Sequence, residues 1–206
     1  MNFEEGHLYH LFNQGNNREQ IFYSRENYLF FLNKIKHQIL PHADILAWCL
    51  MPNHFHLLIY VHTVTAVSNS DSADDFKSSA ELSKMRLLTD SIAIMLRSYT
   101  RAINIQEKRS GSLFRSHTKA ECVSKDNGIT PSFYDTAFGT QINVRIPEKE
   151  YPQACFNYIH MNPVKAKLVN SPIDWEFSSF RDYLGKRSGR LISPQRAAEF
   201  ISLENW

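Results

Sequence analysis

Two histidines one residue apart are the first candidates for chemistry: His54 and His56, which precede the apolar run 57–61. Side chains alternate between the two faces of a β-strand, so this spacing predicts that both imidazoles point to one face and Phe55 points to the other. Two neighbouring imidazoles provide half of a site for a divalent cation. On these residues alone, the alternative that the pair is structural stays open.

A second stretch lies about a hundred residues downstream, where Tyr158 and Asn162 precede Pro163. Residues four apart share one face of a helix. A tyrosine beside a metal-bound phosphate can act as a nucleophile and form a covalent phosphotyrosine, and an asparagine carbonyl oxygen is a hard metal ligand. The proline predicts that Asn162 lies at the end of its helix. The alternative is a buried tyrosine with a helix-capping asparagine.

A basic stretch follows the longest predicted helix. Among small residues and one aromatic ring it carries Lys108, Arg109, Arg115, His117 and Lys119. That composition suits contacts to a phosphate backbone. An exposed basic hairpin with no nucleic-acid role is the alternative.

Composition limits the class of protein. A chain of 206 residues and 24.0 kDa is long enough for one well-buried domain with extensions. The net charge of only +2 means that local clusters must carry any nucleic-acid binding. Three widely spaced cysteines argue against a disulfide framework and a cysteine zinc site, and indicate a reducing compartment. Because no leader-like N-terminus or spanning apolar run is present, we expect a cytoplasmic protein with no membrane partner.

These candidates need elements that position them. Apolar spacing and turn residues predict a strand at 8–12, a helix from Ser24 to Pro41, a strand at 43–50 in a hairpin with the histidine strand, a long helix with apolar positions from Leu82 to Ile103, and a helix from Pro152 to Pro163. Residues 63–80 are small, polar and acidic, which predicts a mobile surface loop. Arg97 and Arg101, on the polar face of the long helix, are interpreted as solvated, and residues 124–150 are left unassigned.

The two motifs, Met51-Pro52-Asn53-His54-Phe55-His56 and Tyr158-Ile159-His160-x-Asn162-Pro163-Val164, closely resemble those of the single-tyrosine HUH transposases. The nearest branch is the REP-associated tyrosine transposases and their insertion-sequence relatives. Further matches are Asn13-x-Gly15-Asn16, Gly111-x-Leu113-Phe114 and Trp175-x-x-Ser178-Ser179. The resemblance covers residues 7–185, so we expect a transposase domain at 1–185 and a C-terminal extension at 186–206.

The resemblance implies an α+β fold: a ferredoxin-like antiparallel sheet with helices packed on one face, the HUH endonuclease fold. It also implies an enzyme that cleaves single-stranded DNA beside hairpins through a 5′-phosphotyrosine and then rejoins strands. The expected partner is single-stranded or hairpin DNA from palindromic repeats, the expected cofactor is Mg²⁺ or Mn²⁺, and the active form is a monomer or a homodimer.

Transferred position by position, the resemblance makes His54 and His56 metal ligands, Tyr158 the nucleophile and Asn162 the third ligand, where relatives often have glutamine. The family's Asn-Arg-Gly motif has Gln14 in place of arginine here, which puts a phosphate or base contact there in doubt. The residues expected to bind DNA are Lys108, Arg109, Arg115, Lys119, Lys165, Lys167, Asn13 and Asn16.

Two other classes of function remain open at this point. In a metal-dependent phosphodiesterase, the histidines would serve to activate water and Tyr158 would be structural. In a non-catalytic nucleic-acid-binding module, the histidines would only pack. Neither alternative accounts for both motifs.

Overall fold

The computed structural model describes residues 1–67, 85–124, 133–136, 139–142 and 147–203. Its strands are β1 (Leu8–Gln14), β2 (Ala43–Met51), β3 (His54–Val61), β4 (Thr65–Val67), β5 (Met85–Leu87), β6 (Lys119–Cys122), β7 (Phe133–Thr136) and β8 (Gly139–Ile142). Its helices are α1 (Arg25–Gln38), α2 (Leu88–Gln106), α3 (Pro147–Lys165), α4 (Phe180–Tyr183) and α5 (Pro194–Ala198). Within the described ranges, no helix is long and apolar enough to cross a membrane.

The central sheet has four strands in the order β2-β3-β1-β6, and every neighbouring pair is antiparallel. Helix α1 connects β1 to β2, and α2 lies between β3 and β6 in the chain. Strands β2 and β3 form the predicted hairpin, with Met51 opposite His54 across the turn Pro52-Asn53. The predicted α+β combination of an antiparallel sheet with helices is therefore confirmed.

Both faces of this sheet are covered by helices, so the prediction that the helices pack on one face is wrong. Helices α1 and α2 cover one face, where Phe31 and Tyr99 pack around Phe55 in the larger core. Helix α3 covers the other face, where Phe156 and Ile159 join a second core. The reason is visible in β3, whose residues 57, 58 and 59 are all fully buried. A strand that is apolar on both sides must be covered on both sides.

The start of the long helix and the extent of the loop before it differ from the predictions. The long helix begins at Leu88, not Leu82, because β5 pairs with β4 in a short antiparallel ribbon, with Val67 opposite Met85. This ribbon also takes three residues from the predicted loop 63–80. The rest of that loop, from residue 68 onward, and Leu82 lie outside the described residues.

Helix α3 is longer than predicted. It begins at Pro147 and continues through both Pro152 and Pro163 to Lys165. Asn162 is therefore within the helix, where its carbonyl oxygen accepts a hydrogen bond from the Ala166 amide at 2.9 Å. Just beyond the end of the helix, Lys167 has a φ of 57°, which lies in the left-handed region. The Leu168 amide bonds back to the Pro163 carbonyl at 2.9 Å, as in helix ends closed by a left-handed residue.

The segment after residue 185 packs against the β2 edge of the sheet. The Ser193 amide donates to the Ile45 carbonyl at 2.9 Å, and the Arg196 guanidinium pairs with Asp44 at 3.1 Å. Ala197 and Ile201 are buried in the same core as α3. The predicted C-terminal extension thus helps to hold the face of the sheet on which α3 lies.

Candidate active site

His54 and His56 lie at the start of β3 on the face of the sheet that α3 covers, which we call the histidine face. Their ring centroids are 5.0 Å apart with the rings nearly perpendicular. Strand β3 is flanked by β2 and β1, so His56 lies between Cys49 and Phe12 in the register. Phe55 points to the opposite core. The sheet therefore presents both imidazoles side by side, as the strand spacing predicts.

The protonation of His54 follows from its neighbour. Its Nδ1 lies 2.6 Å from the Asn53 side-chain oxygen, while the Asn53 amide nitrogen donates to the Arg18 carbonyl at 3.1 Å. An amide oxygen only accepts hydrogen bonds, so His54 Nδ1 carries the proton and Nε2 keeps its lone pair. Burial lowers the pKa of His54, and a hydrogen bond with Asn162 partly opposes this. The neutral imidazole is the form that binds metals.

His56 has a ring nitrogen without a hydrogen-bond partner. Its Nδ1 lies 2.9 Å from His10 Nε2, whereas its Nε2 is buried and makes no hydrogen bond with any of the described residues. A buried N–H left in that position would cost about 1–3 kcal/mol, but a lone pair there is available to a cation. Burial is the largest cause that lowers the pKa of His56 well below its usual value, followed by the neighbouring His10 and His54.

Helix α3 brings the second motif onto this face. The Tyr158 ring meets the His56 ring edge-on, with centroids 5.4 Å apart, and the His10 ring at 6.0 Å. Tyr158 is 39% exposed, so solvent and ligands can reach it. Asn162 is buried one turn further along, with its amide nitrogen 3.3 Å from the Tyr158 carbonyl. Residues about a hundred positions apart are thus brought into one cluster of two histidines, a tyrosine and an asparagine.

The donor set available to a cation is small. Among the described residues, no group of three or more histidine, cysteine, aspartate or glutamate side chains is arranged to hold a metal ion. The cluster instead offers the Nε2 atoms of His54 and His56 together with the amide of Asn162, which contacts His54. Two imidazoles and an amide oxygen are compatible ligands for Mg²⁺ or Mn²⁺, so the residues present fit the predicted ion.

A cavity of about 250 Å³ opens beside the cluster and has a basic lining. It is lined by His54, His56, Tyr158, Phe12, Asn13, Gln14, Arg115, His117 and Lys119. Outside that lining, the Lys165 ammonium lies 5.1 Å from the Tyr158 ring centroid. Within the described part of the chain, no carboxylate lines this cavity. The surroundings of Tyr158 therefore favour an anionic ligand.

A larger cleft of about 830 Å³ joins this cavity, and the two share Asn13, Arg115 and His117 as lining residues. Helix α2 supplies Arg97 and Arg101 to its wall, the two arginines interpreted as solvated from the sequence. Arg109, from the predicted basic stretch, also lines it and is held by Glu19 at 3.1 Å. The basic stretch and α2 thus wall one cleft, whose three arginines Arg97, Arg101 and Arg109 lie beyond the cavity that contains Tyr158.

The other predicted DNA-binding residues differ in their surroundings. Asn16, Lys108 and Lys167 are exposed, and none of them lines either cavity. Asn13 is only 4% exposed. Its amide nitrogen donates to the Arg115 carbonyl at 3.2 Å and to Thr118 Oγ1 at 2.8 Å, and its oxygen accepts from the Gln14 amide. Both amide hydrogens are thus used inside the protein, where they hold the basic stretch against β1, while Asn13 also lines both cavities. A DNA contact by Asn13 stays a prediction.

Two further residues of the site were not among the predicted site residues. His10 and Gln14 lie on β1, opposite Leu58 and His54 of β3. The alternation of β1 could have placed His10 and Gln14 on one face with Phe12. That this face is the histidine face depends on the register of β1 with β3, which the local sequence does not encode.

Comparisons with known proteins agree with this arrangement at the level of the fold. No protein-family model and no curated protein matches the chain. Among solved structures, a REP-associated tyrosine transposase bound to a REP hairpin superposes with a TM-score of 0.54 at 16% sequence identity, covering 90% of this chain and 84% of that chain. The chain therefore has the fold of a REP-associated tyrosine transposase.

Proposed function

We propose that this protein is a transposase-type enzyme that nicks and rejoins single-stranded DNA beside hairpins through a phosphotyrosine on Tyr158. The observation that carries the proposal is the meeting of Tyr158 with His56 at 5.4 Å in a cavity lined by cations. The solved neighbour, which is bound to hairpin DNA, supports the same substrate class. Along the chain, the four strands of the central sheet and the helices α1 and α2 follow the order β1-α1-β2-β3-α2-β6, with the β4–β5 ribbon inserted before α2. This order supports a ferredoxin-like, HUH-type assignment.

The Nε2 atoms of His54 and His56 and the side chain of Asn162 would hold the Mg²⁺ or Mn²⁺ ion. When bound, this ion would polarise the scissile phosphate and neutralise part of its charge. The protein's own contribution is to present two neutral imidazoles whose Nδ1 atoms already have hydrogen-bond partners. That leaves the Nε2 side of each ring for the ion.

The reaction is an exchange of phosphoester bonds. The Tyr158 oxygen attacks phosphorus, the bond from phosphorus to the 3′ oxygen breaks, and the leaving oxygen takes up a proton while the phenol proton is lost. The products are a 5′-phosphotyrosine and a free 3′-hydroxyl. In joining, a 3′-hydroxyl attacks the same phosphorus, the bond to Tyr158 breaks, and the phenol regains a proton. One phosphoester bond forms for each one broken, so joining needs no ATP.

The cations around Tyr158 have a role in this scheme. Lys165, 5.1 Å from the Tyr158 ring, and Arg115 and Lys119 of the cavity lining would hold the phosphates that flank the cleaved bond. The cleft walled by Arg97, Arg101 and Arg109 would take the adjoining strand. Because both histidines and Tyr158 of one chain meet in one cavity, we propose that a monomer is sufficient for cleavage.

A covalent-adduct assay tests the proposal. A hairpin oligonucleotide with single-stranded flanks, taken from imperfect palindromes near the coding sequence, is labelled at its 3′ end, because the fragment attached through its 5′ phosphate retains that end. With Mn²⁺ we expect a labelled band that survives denaturing electrophoresis at the mass of protein plus DNA. Tyr158→Phe abolishes this band while hairpin binding persists.

Tyr60→Phe is the matched control, since Tyr60 lies on the same strand as the histidines and lacks any contact with the cavity in the described structure. It retains the adduct. Cleavage without an adduct in the wild type would instead indicate a phosphodiesterase that uses water. Hairpin binding with no cleavage at any metal concentration would indicate a binding module.

A further inference from the structure

A third histidine, His10 on β1, lies directly behind the proposed metal ligands. It is 7% exposed, and its Nε2 lies 2.9 Å from His56 Nδ1. Its ring stacks against Phe12, at a centroid distance of 4.6 Å, and against His56, at 5.0 Å. The Tyr158 ring meets its edge at 6.0 Å. His10 therefore touches both a proposed ligand and the proposed nucleophile.

The hydrogen bond between the two rings can be made in two ways. A neutral imidazole has one N–H and one lone pair. If His10 donated, His56 would carry its own proton on Nε2, which is buried and has no acceptor in the described part of the chain. If His56 donates from Nδ1, its Nε2 keeps a lone pair. Only the second arrangement leaves His56 able to bind a cation.

We propose that His10 is a positioning residue, which accepts the Nδ1 proton of His56 and thereby holds His56 in the tautomer that exposes the Nε2 lone pair to the metal. The inference rests on the proposed function, because it assumes that His56 is a ligand. The group that accepts the other ring N–H of a metal-binding histidine is usually a carboxylate, a backbone carbonyl or water. Here the partner is an imidazole held rigid by stacking, which orients the His56 ring as well as its proton.

The same logic applies to His54 through a different residue. Asn53 accepts the Nδ1 proton of His54 at 2.6 Å. Each proposed histidine ligand thus has its own acceptor, one from the β2–β3 turn and one from β1. The His10 contact is the one that crosses between strands, so it couples the geometry of the metal site to the pairing of β1 with β3.

Two variants separate hydrogen bonding from packing. His10→Phe keeps an aromatic ring but has no acceptor, and His10→Gln has a side-chain oxygen that can accept the Nδ1 proton. Binding of Mn²⁺ is measured by titration calorimetry or by electron paramagnetic resonance, with no DNA present. We expect His10→Phe to weaken binding about 10–100-fold and His10→Gln to lose much less. His62→Phe, at an exposed histidine just beyond β3, binds Mn²⁺ as the wild type does.

A second measurement reads the tautomer itself. Two-bond proton–nitrogen NMR correlations in histidine-labelled, metal-free protein report which nitrogen of His56 carries the proton. The wild type is expected to show it on Nδ1, and His10→Phe to show a mixture. Wild-type Mn²⁺ affinity in folded His10→Phe, or a wild-type His56 protonated on Nε2, overturns the inference.

These outcomes separate the inference from the proposed function. If the wild type binds no Mn²⁺, the metal role in the proposed function fails, and the NMR measurement still decides whether His10 sets the tautomer. If His10→Phe does not fold, His10→Gln and the wild-type tautomer remain decisive.

Discussion

Replacing Asn13 with alanine tests whether this residue binds DNA or holds the basic stretch in place. The side chain is 4% exposed and makes three hydrogen bonds, to the Arg115 carbonyl, to Thr118 Oγ1 and from the Gln14 amide. All three are lost in Asn13→Ala. The Arg115 carbonyl, the Thr118 hydroxyl and the Gln14 amide then lose their partner at a partly buried position, where water can bond to only some of them.

The expected loss of stability follows from the free-energy cost of the lost hydrogen bonds and of the polar groups left without a partner. An ordinary hydrogen bond contributes about 0.5–1.5 kcal/mol, and a buried group left without a partner costs about 1–3 kcal/mol. Because water can reach part of this site, we expect Asn13→Ala to lower the free energy of unfolding by about 2–3 kcal/mol in total. DNA affinity should fall as well, since Arg115 and Lys119 flank the released Thr118 and both line the cavity.

The assay is urea unfolding followed by tryptophan fluorescence, together with hairpin binding over a range of salt. Asn16→Ala is the matched control: Asn16 belongs to the same predicted motif but is exposed, and a surface substitution changes stability by within about 0.5 kcal/mol. An unfolding midpoint for Asn13→Ala equal to that of the wild type would refute the structural role. Reduced DNA affinity with unchanged stability would identify Asn13 as a direct DNA contact.

Four further predictions concern the cavity, the metal, the core and pH. Gln14→Arg adds a cation to the cavity lining and should raise hairpin affinity and steepen the salt dependence by about 0.7 per added phosphate contact; an unchanged slope in filter binding would contradict this. Chelation with EDTA should abolish the covalent adduct while hairpin binding persists, and Mn²⁺ should restore the adduct; an adduct that forms in EDTA would exclude the metal. Ile159→Ala, at a fully buried position of α3, should lower the free energy of unfolding by about 2–5 kcal/mol, whereas an unchanged urea midpoint would mean that α3 does not pack there. Burial lowers the pKa of His42, so below about pH 6.5 the unfolded state binds more protons and stability falls as the pH drops, by at most about 1.4 kcal/mol per pH unit; a His42→Asn variant with the same dependence of urea midpoint on pH would contradict this.

Local geometry accounts for the parts of the site that were predictable. Alternation along β3 places His54 and His56 on one face, and the helical repeat places Asn162 one turn from Tyr158. The β2–β3 hairpin follows from two apolar runs around Pro52-Asn53. Each of these relations joins residues within a few positions, where backbone geometry alone sets the directions of side chains.

The remaining parts depend on packing between distant segments. Helix α3 lies over the histidine face because Phe156 and Ile159 share a core with Leu58, and only that contact brings Tyr158 to His56. The prediction of helices on one face failed because a strand apolar on both sides requires two covering layers. The prediction that α3 ends at Pro163 is also wrong, because the helix continues through this proline to Lys165.

Residue types alone identified two histidines, a tyrosine and an asparagine as the candidates for chemistry, because each type has the required ligand or nucleophile and the spacing within each motif fixes its direction. The tertiary structure decided which other residues join them. His10 meets His56 through the pairing of β1 with β3, and Arg97 and Arg101 reach the cleft because the basic stretch folds back against α2. Asn13, by contrast, lines the cavities with its amide hydrogens already bonded to the basic stretch. Strand register and helix docking are set by burial across the whole chain, and no local pattern contains that information.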